Sequence, residues 1–165
     1  MPKRISIQTL ILTGLALIAF AANSILCRMA LGEKSIDASS FTIIRLVSGI
    51  VVFMIILRFQ SKVEKPKSNG SWLAASMLFL YAATFSFAYI TLDTGTGALI
   101  LFAAVQLTMI IVALMKGERL GLIAWSGVSL AIGGFVFLIL PGVSAPSLTG
   151  LILMSTAGIA WGIYS

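Results

Sequence analysis

Apolar residues run in six long stretches along this chain, separated by short polar breaks. A helix needs roughly 20 apolar residues to cross a hydrocarbon core. The pattern predicts five such spans, at Ile5–Leu31 (centred near Leu17), Ser40–Phe59, Ser71–Leu92, Gly95–Met115 and Leu120–Leu140. Asn69-Gly70-Ser71 supplies a helix start for the third. Pro141-Gly142 stops the fifth, and Pro146 keeps the next residues extended. The sixth stretch, Leu148–Ser165, has 18 residues. At ~1.5 Å per residue it reaches about 27 Å, barely across the core. It stops at Trp161-Gly162-Ile163-Tyr164-Ser165 with no charged anchor, so the chain is expected to be cut from a longer one. The predicted fold class is an all-α transmembrane bundle of five complete spans plus a partial sixth.

Composition agrees. Of 165 residues, 59% are apolar and only 10% charged, whereas a soluble domain carries about 25% charge. The net charge of +6 does not imply nucleic acid, because no basic patch with interleaved aromatics exists. With no His and a single cysteine, Cys27, a zinc helix motif, a Ser-His-Asp triad and a disulfide framework cannot be built. No cofactor or metal is expected.

Basic residues set the expected orientation. With the N-terminus cytoplasmic, the inner segments hold Lys3, Arg4, Arg58, Lys62, Lys65, Lys67, Lys116 and Arg119, and the outer loops only Arg28 and Lys34. Lys116-Gly117-Glu118-Arg119 then forms a cytoplasmic hairpin tip whose charges anchor two helix ends, with Glu118 pairing a basic neighbour. Lys3-Arg4 followed by an apolar run and Ala19-Phe20-Ala21 also matches a secretory signal. That run is longer than the usual 7–15 residues, which favours a retained first span.

The sixth stretch loosely matches the first: Thr149-Gly150-Leu151 parallels Thr13-Gly14-Leu15, and Trp161-Gly162 falls where Phe20-Ala21 does. Five spans before a restart would invert the second copy in the membrane, as in many secondary transporters. Gly117-Glu118-Arg119-Leu120, Trp125-Ser126-Gly127 and Ala131-Ile132-Gly133-Gly134 resemble the signature hairpin of the EamA family in the drug/metabolite transporter superfamily. Asn23–Leu31 resembles the end of that family's first span, Ser40–Arg45 its second-span entry, and Ala104–Met109 one branch of its fourth. Phe20-Ala21 departs from the family's frequent Trp-Gly, and Gln106 stands where many members have Pro. The resemblance implies a ten-span carrier of two inverted five-helix repeats in the inner (plasma) membrane, moving small metabolites, amino acids or drugs, often outward. Residues 1–141 would be the first repeat and 148–165 the incomplete first helix of the second.

Polar groups inside spans are costly and are the functional candidates. Arg45 is the only ionisable residue well inside one, about 7–8 Å from the middle of span two toward the outer face. It either snorkels to pair with Asp37, Glu33 or Asp93 or faces a substrate or gate. Asn23 sits at similar depth in span one and would join Arg45 in one polar cluster, as ligand contact or as helix-packing glue. Gln106 and Tyr81 fall near the midplane of spans four and three, where transporter sites lie. Tyr81, Phe85 and Tyr89 recur at i, i+4, i+8 on one face. They wall an aromatic path, or else Phe85 simply packs and Tyr89 joins an interfacial belt. Gly127…Ala131 and Gly158…Gly162 place small residues four apart for close helix approach, and Trp72 and Trp125 are interface anchors.

No Asp or Glu lies inside a span, so this part of the protein offers no obvious proton carrier and lacks the span-one Glu of small multidrug-resistance pumps. A secondary transporter of a small-molecule substrate is the favoured reading and a non-transporting membrane scaffold the alternative; an intramembrane enzyme has no residues to work with. A five-helix half needs its missing second half, or a second chain, to complete a transporter. The isolated 165-residue chain is therefore expected to be transport-incompetent in liposomes. The natively produced protein should run near 30 kDa, on the order of ten spans. A native mass near 17.5 kDa would instead require a dimer or a separately encoded partner.

Overall fold

The computed structural model describes residues 6–32, 35–59, 70–139 and 146–165. These form six α-helices and no strand: α1 (Ile7–Gly32), α2 (Ala38–Phe59), α3 (Trp72–Ala88), α4 (Thr94–Met115), α5 (Leu122–Ile139) and α6 (Leu148–Tyr164). Each apolar stretch is one helix. Three of them, α1, α2 and α4, are long and apolar enough to cross a membrane, while α3, α5 and α6 are apolar and shorter. Lys3-Arg4, Glu33, Lys34, Lys62, Lys65, Lys67, Asn69, Leu140 and Pro141-Gly142 lie outside the described residues.

Local chemistry places the ends. Asp37 accepts the Ser40 amide on its carboxylate at 2.8 Å, and its carbonyl accepts from Phe41, a standard N-cap for α2. Ser71 and Ser147 cap α3 and α6 in the same way, through Ala74 and Gly150. At the other end of α4, the Glu118 amide donates to the Ala113 carbonyl and the Gly117 amide to Leu114. Gly117 has φ +86°. This is a Schellman stop, which places glycine in the left-handed region, so the Lys116–Arg119 tip is a helix terminator as well as a charged one. The expected pairing of Glu118 is not formed: neither Lys116 nor Arg119 comes within ion-pair reach, and Arg28–Asp93 is the ion pair among the described residues.

The last helix is the centre of the packing. α6 lies against both α3 and α4, which provide its most extensive contacts. Met154, Ala157 and Ala160 are buried there, with Phe85, Tyr89, Leu92, Ile100 and Leu101 around them. Close approach depends on missing side chains. A Cβ on Gly158 would stand 2.5 Å from Ala104 Cβ and 2.7 Å from the Leu101 carbonyl; one on Gly162 would stand 2.7 Å from Thr108 Cβ. The expectation of close approach thus holds at Gly158…Gly162. It does not hold at Gly127…Ala131, since nothing lies within 4 Å of a Cβ placed on Gly127, and α5 touches only α4 among the more extensive contacts.

Away from this core the surface is oily. Ile18, Phe53, Leu130 and Phe137 are all exposed, a surface suited to lipid rather than water. Trp72 is 90% exposed and Trp125 about half exposed, which leaves both free to sit at a membrane interface.

Gly158→Val should be strongly destabilising, by about 2–3 kcal/mol, because its neighbours are backbone and Cβ atoms that cannot rotate away. Gly127→Val should be near neutral. Thermal unfolding in detergent, followed by helical circular dichroism, separates the two; equal effects would contradict this packing.

Candidate functional site

Arg45 sits two turns into α2, beyond the Asp37 cap. The side chain is half-buried and turns toward α3 instead of the helix ends. Its Nη2 donates to the Tyr81 hydroxyl at 3.2 Å. The guanidinium carbon lies 4.8 Å from the centre of the Phe85 ring and 5.5 Å from that of Tyr81, within the range of cation–π attraction. Nη1 is buried and has no hydrogen-bond partner among the described residues.

Arg45 therefore does not pair with Asp37 or Asp93, and Glu33 lies outside the described residues. Asp37 is occupied by the Ser40 amide. Asp93 faces Arg28 at 3.5 Å, while Arg28 Nη1 also donates to the carbonyls of Tyr89 and Ile90. The basic residue nearer the end of its helix takes the carboxylate, and the one further inside is left with aromatic faces.

The aromatic stripe on α3 is packed, and extended by residues from other helices. Tyr81 and Phe85 have centroids 5.4 Å apart, Phe85 and Tyr89 4.8 Å. Tyr89 is fully buried and does not join an interfacial belt: its ring fills the space over Gly97, where a Cβ would come within 2.7 Å of Cε1. From Tyr81 the row continues to Trp161 of α6 at 5.2 Å, and from Trp161 to Phe20 of α1 at 5.4 Å and Phe102 of α4 at 6.0 Å. Four helices thus contribute to one aromatic row ending at the guanidinium.

Two candidate residues fall elsewhere. Gln106 is exposed and lines a cavity of about 340 Å³ between α4 and α5, with Leu107, Ile110, Ala124, Gly127 and Ala131. The reason is helical phase. Leu101, Ala104, Val105 and Thr108 form the α4 face that meets α6, and Ala103, Gln106, Leu107 and Ile110 form another. So Gln106 and Tyr81 do not share a site. Asn23 is half-buried, and its Oδ1 faces Cys27 Sγ one turn on, at 4.0 Å; it makes no hydrogen bond to Arg45 among the described residues. The hairpin residues Gly117, Glu118 and Arg119 stand at the far end of α4, exposed.

Trp161, Phe20 and Phe102 are absent from the sequence-based candidates. Phe20 and Trp161 carried a signal nonetheless, as the matched positions of the loose internal repeat. Phe102 carried none, because one phenylalanine in an apolar helix is not distinctive.

The Asp37 cap has a pH signature. The Ser40 backbone amide, more than any other group, holds the Asp37 carboxyl below the usual carboxylate range. A depressed carboxylate pKa contributes stability that is fully present above the unfolded value, near ~3.9, and lost as pH falls through the folded value. Protection of the Ser40 amide from hydrogen exchange, corrected for intrinsic rates, should therefore hold at neutral pH and fall below the unfolded value. Asp37→Ala should remove it at all pH values, and Asp37→Asn should keep it without pH dependence. Unchanged protection in Asp37→Ala would show that the cap does not hold this turn.

No protein-family model matches the chain, and no solved structure does. The chain is 52% identical over all 165 residues to the uncharacterized protein PA1977 of Pseudomonas aeruginosa, and spans 56% of that protein's length.

Proposed function

We propose that this chain forms the greater part of a secondary transporter of the EamA type in the inner (plasma) membrane, N-terminus cytoplasmic, with five spans in a first repeat and α6 opening an inverted second one. Its small-molecule path runs past Arg45, Tyr81, Phe85 and Trp161. The observation that carries this reading is the guanidinium inside an apolar helix, with one nitrogen buried and unmet among the described residues and the rest framed by aromatic rings. An ionisable group in that position is expensive and marks a pathway more often than a packing contact.

Three further features support it. Basic residues cluster on the side that would be cytoplasmic. Phe20 and Trp161, equivalent in the loose repeat, touch one another, as residues near the axis of an inverted repeat would. The 56% share of the longer relative matches six helices of ten.

The test is solute flux in proteoliposomes made with the natively expressed protein, using a panel of labelled metabolites and amino acids. Arg45→Gln should lower flux at least tenfold, and Tyr81→Phe several-fold, by removing the hydroxyl that holds Nη2. Gln106→Ala, in a separate cavity, should change it less than twofold. Normal flux in the first two variants, at equal expression, would reject the site. Absence of flux for every solute would favour the scaffold alternative.

A further inference from the structure

We infer that Arg45 is the binding site for a monocarboxylate with an apolar body. This deepens the transport reading, and it rests on that reading for passage across the membrane once the ligand is bound. The carboxylate would be met by Nη1 and the free N–H of Nη2.

Arg45 cannot lose its proton, so its charge needs compensation inside an apolar helix. Among the described residues, the carboxylates are engaged or distant: Asp37 on the Ser40 amide, Asp93 on Arg28, and Glu118 at the opposite end of α4. Tyr81 takes one N–H of Nη2 and offers only a hydroxyl. Nη1 is buried with no partner among the described residues, and a guanidinium fork with adjacent unpaired N–H groups has the geometry of carboxylate recognition. The charge of the ligand follows from the cations that the described residues place beside it. Arg28 is engaged by Asp93, which leaves the Arg45 guanidinium for one negative charge and disfavours a phosphate dianion.

The body of the ligand follows from the groups that surround the charge. Tyr81, Phe85, Trp161, Phe20 and Phe102 present ring after ring leading to it. Phe20 and Phe102 are each about two-fifths exposed, so the row reaches the surface at one end and Arg45 at the other. A polar body would lose its hydration along this row without recovering hydrogen bonds.

Phenylacetate and its uncharged isostere phenylacetamide are suitable probes, with inorganic phosphate as a third. Binding of the labelled acid and amide to the natively expressed protein is measured by equilibrium dialysis. Phenylacetate should bind saturably and at least tenfold more tightly than phenylacetamide, and phosphate should not displace it. Arg45→Gln should abolish the difference by weakening phenylacetate alone, while Arg45→Lys, which keeps the charge but not the fork, should retain part of it. The comparison of ligands in unmutated Arg45 protein stands even if a variant fails to fold.

Equal affinity for acid and amide, no binding of either, or displacement by phosphate would each overturn the inference. Flux is measured separately on the same samples. Carboxylate-selective binding without flux would sink the transport reading and leave this one standing, whereas flux indifferent to the carboxylate would do the reverse.

Discussion

The approach of α6 to α4 through glycines is the constraint on which the remaining arrangement rests. In a hydrocarbon solvent, burying a leucine against a neighbour gains little over burying it against lipid, so helices associate through close van der Waals packing and small residues. Gly158 and Gly162 allow α6 to meet the backbone of α4 at Leu101 and Val105. That contact turns Trp161 toward Tyr81 and Phe20. It also buries Met154 and Ala157 among Phe85, Tyr89 and Leu92. Without α6 the α3 stripe would face empty space.

The site is the place where this pattern of small and apolar contacts is broken. A charge is placed where, among the described residues, only aromatic quadrupoles and one hydroxyl answer it. Cation–π attraction offsets part of the desolvation cost, by about 2 kcal/mol at best, and one hydrogen bond to a charged group by a similar amount. Neither reaches Nη1. An unsatisfied buried donor of this kind calls for an explanation, and the proposed ligand supplies one. The nearby pair of Arg28 and Asp93 shows the contrasting solution, with Asp93 well exposed and the guanidinium shared with two carbonyls. Such an exposed pair is worth little in stability and serves to tie α1 to the α3–α4 turn.

Six helices and the Ser71 start of the third were legible along the chain because each depends on local information, a run of apolar residues or a Ser before it. The Asp37 and Ser147 caps and the glycine stop at residue 117 are as local but came from the structure. Position along each helix was legible too, since it follows from counting at a fixed rise. Arg45 and Tyr81 could be singled out on that basis and do meet. What counting cannot supply is phase. In a water-soluble helix the polar face shows which side is outward, but here both the lipid and the core are apolar. Nothing in the sequence told Gln106 from Tyr81 as to the side it faces, or Tyr89 the buried ring from Tyr89 the belt residue.

The sequence by itself thus determined that the chain is helical and apolar enough for a membrane, where its six helices lie to within a few residues, and which few polar side chains fall within them. Only the tertiary structure decided that Asp93 goes to Arg28, that Arg45 is left to Tyr81 and Phe85, and that Trp161 joins α3 to α1 and α4. The reason is the same in each case. These outcomes depend on which helix faces are brought together, and in an apolar solvent that choice is made by glycine-mediated fit between helices far apart in sequence.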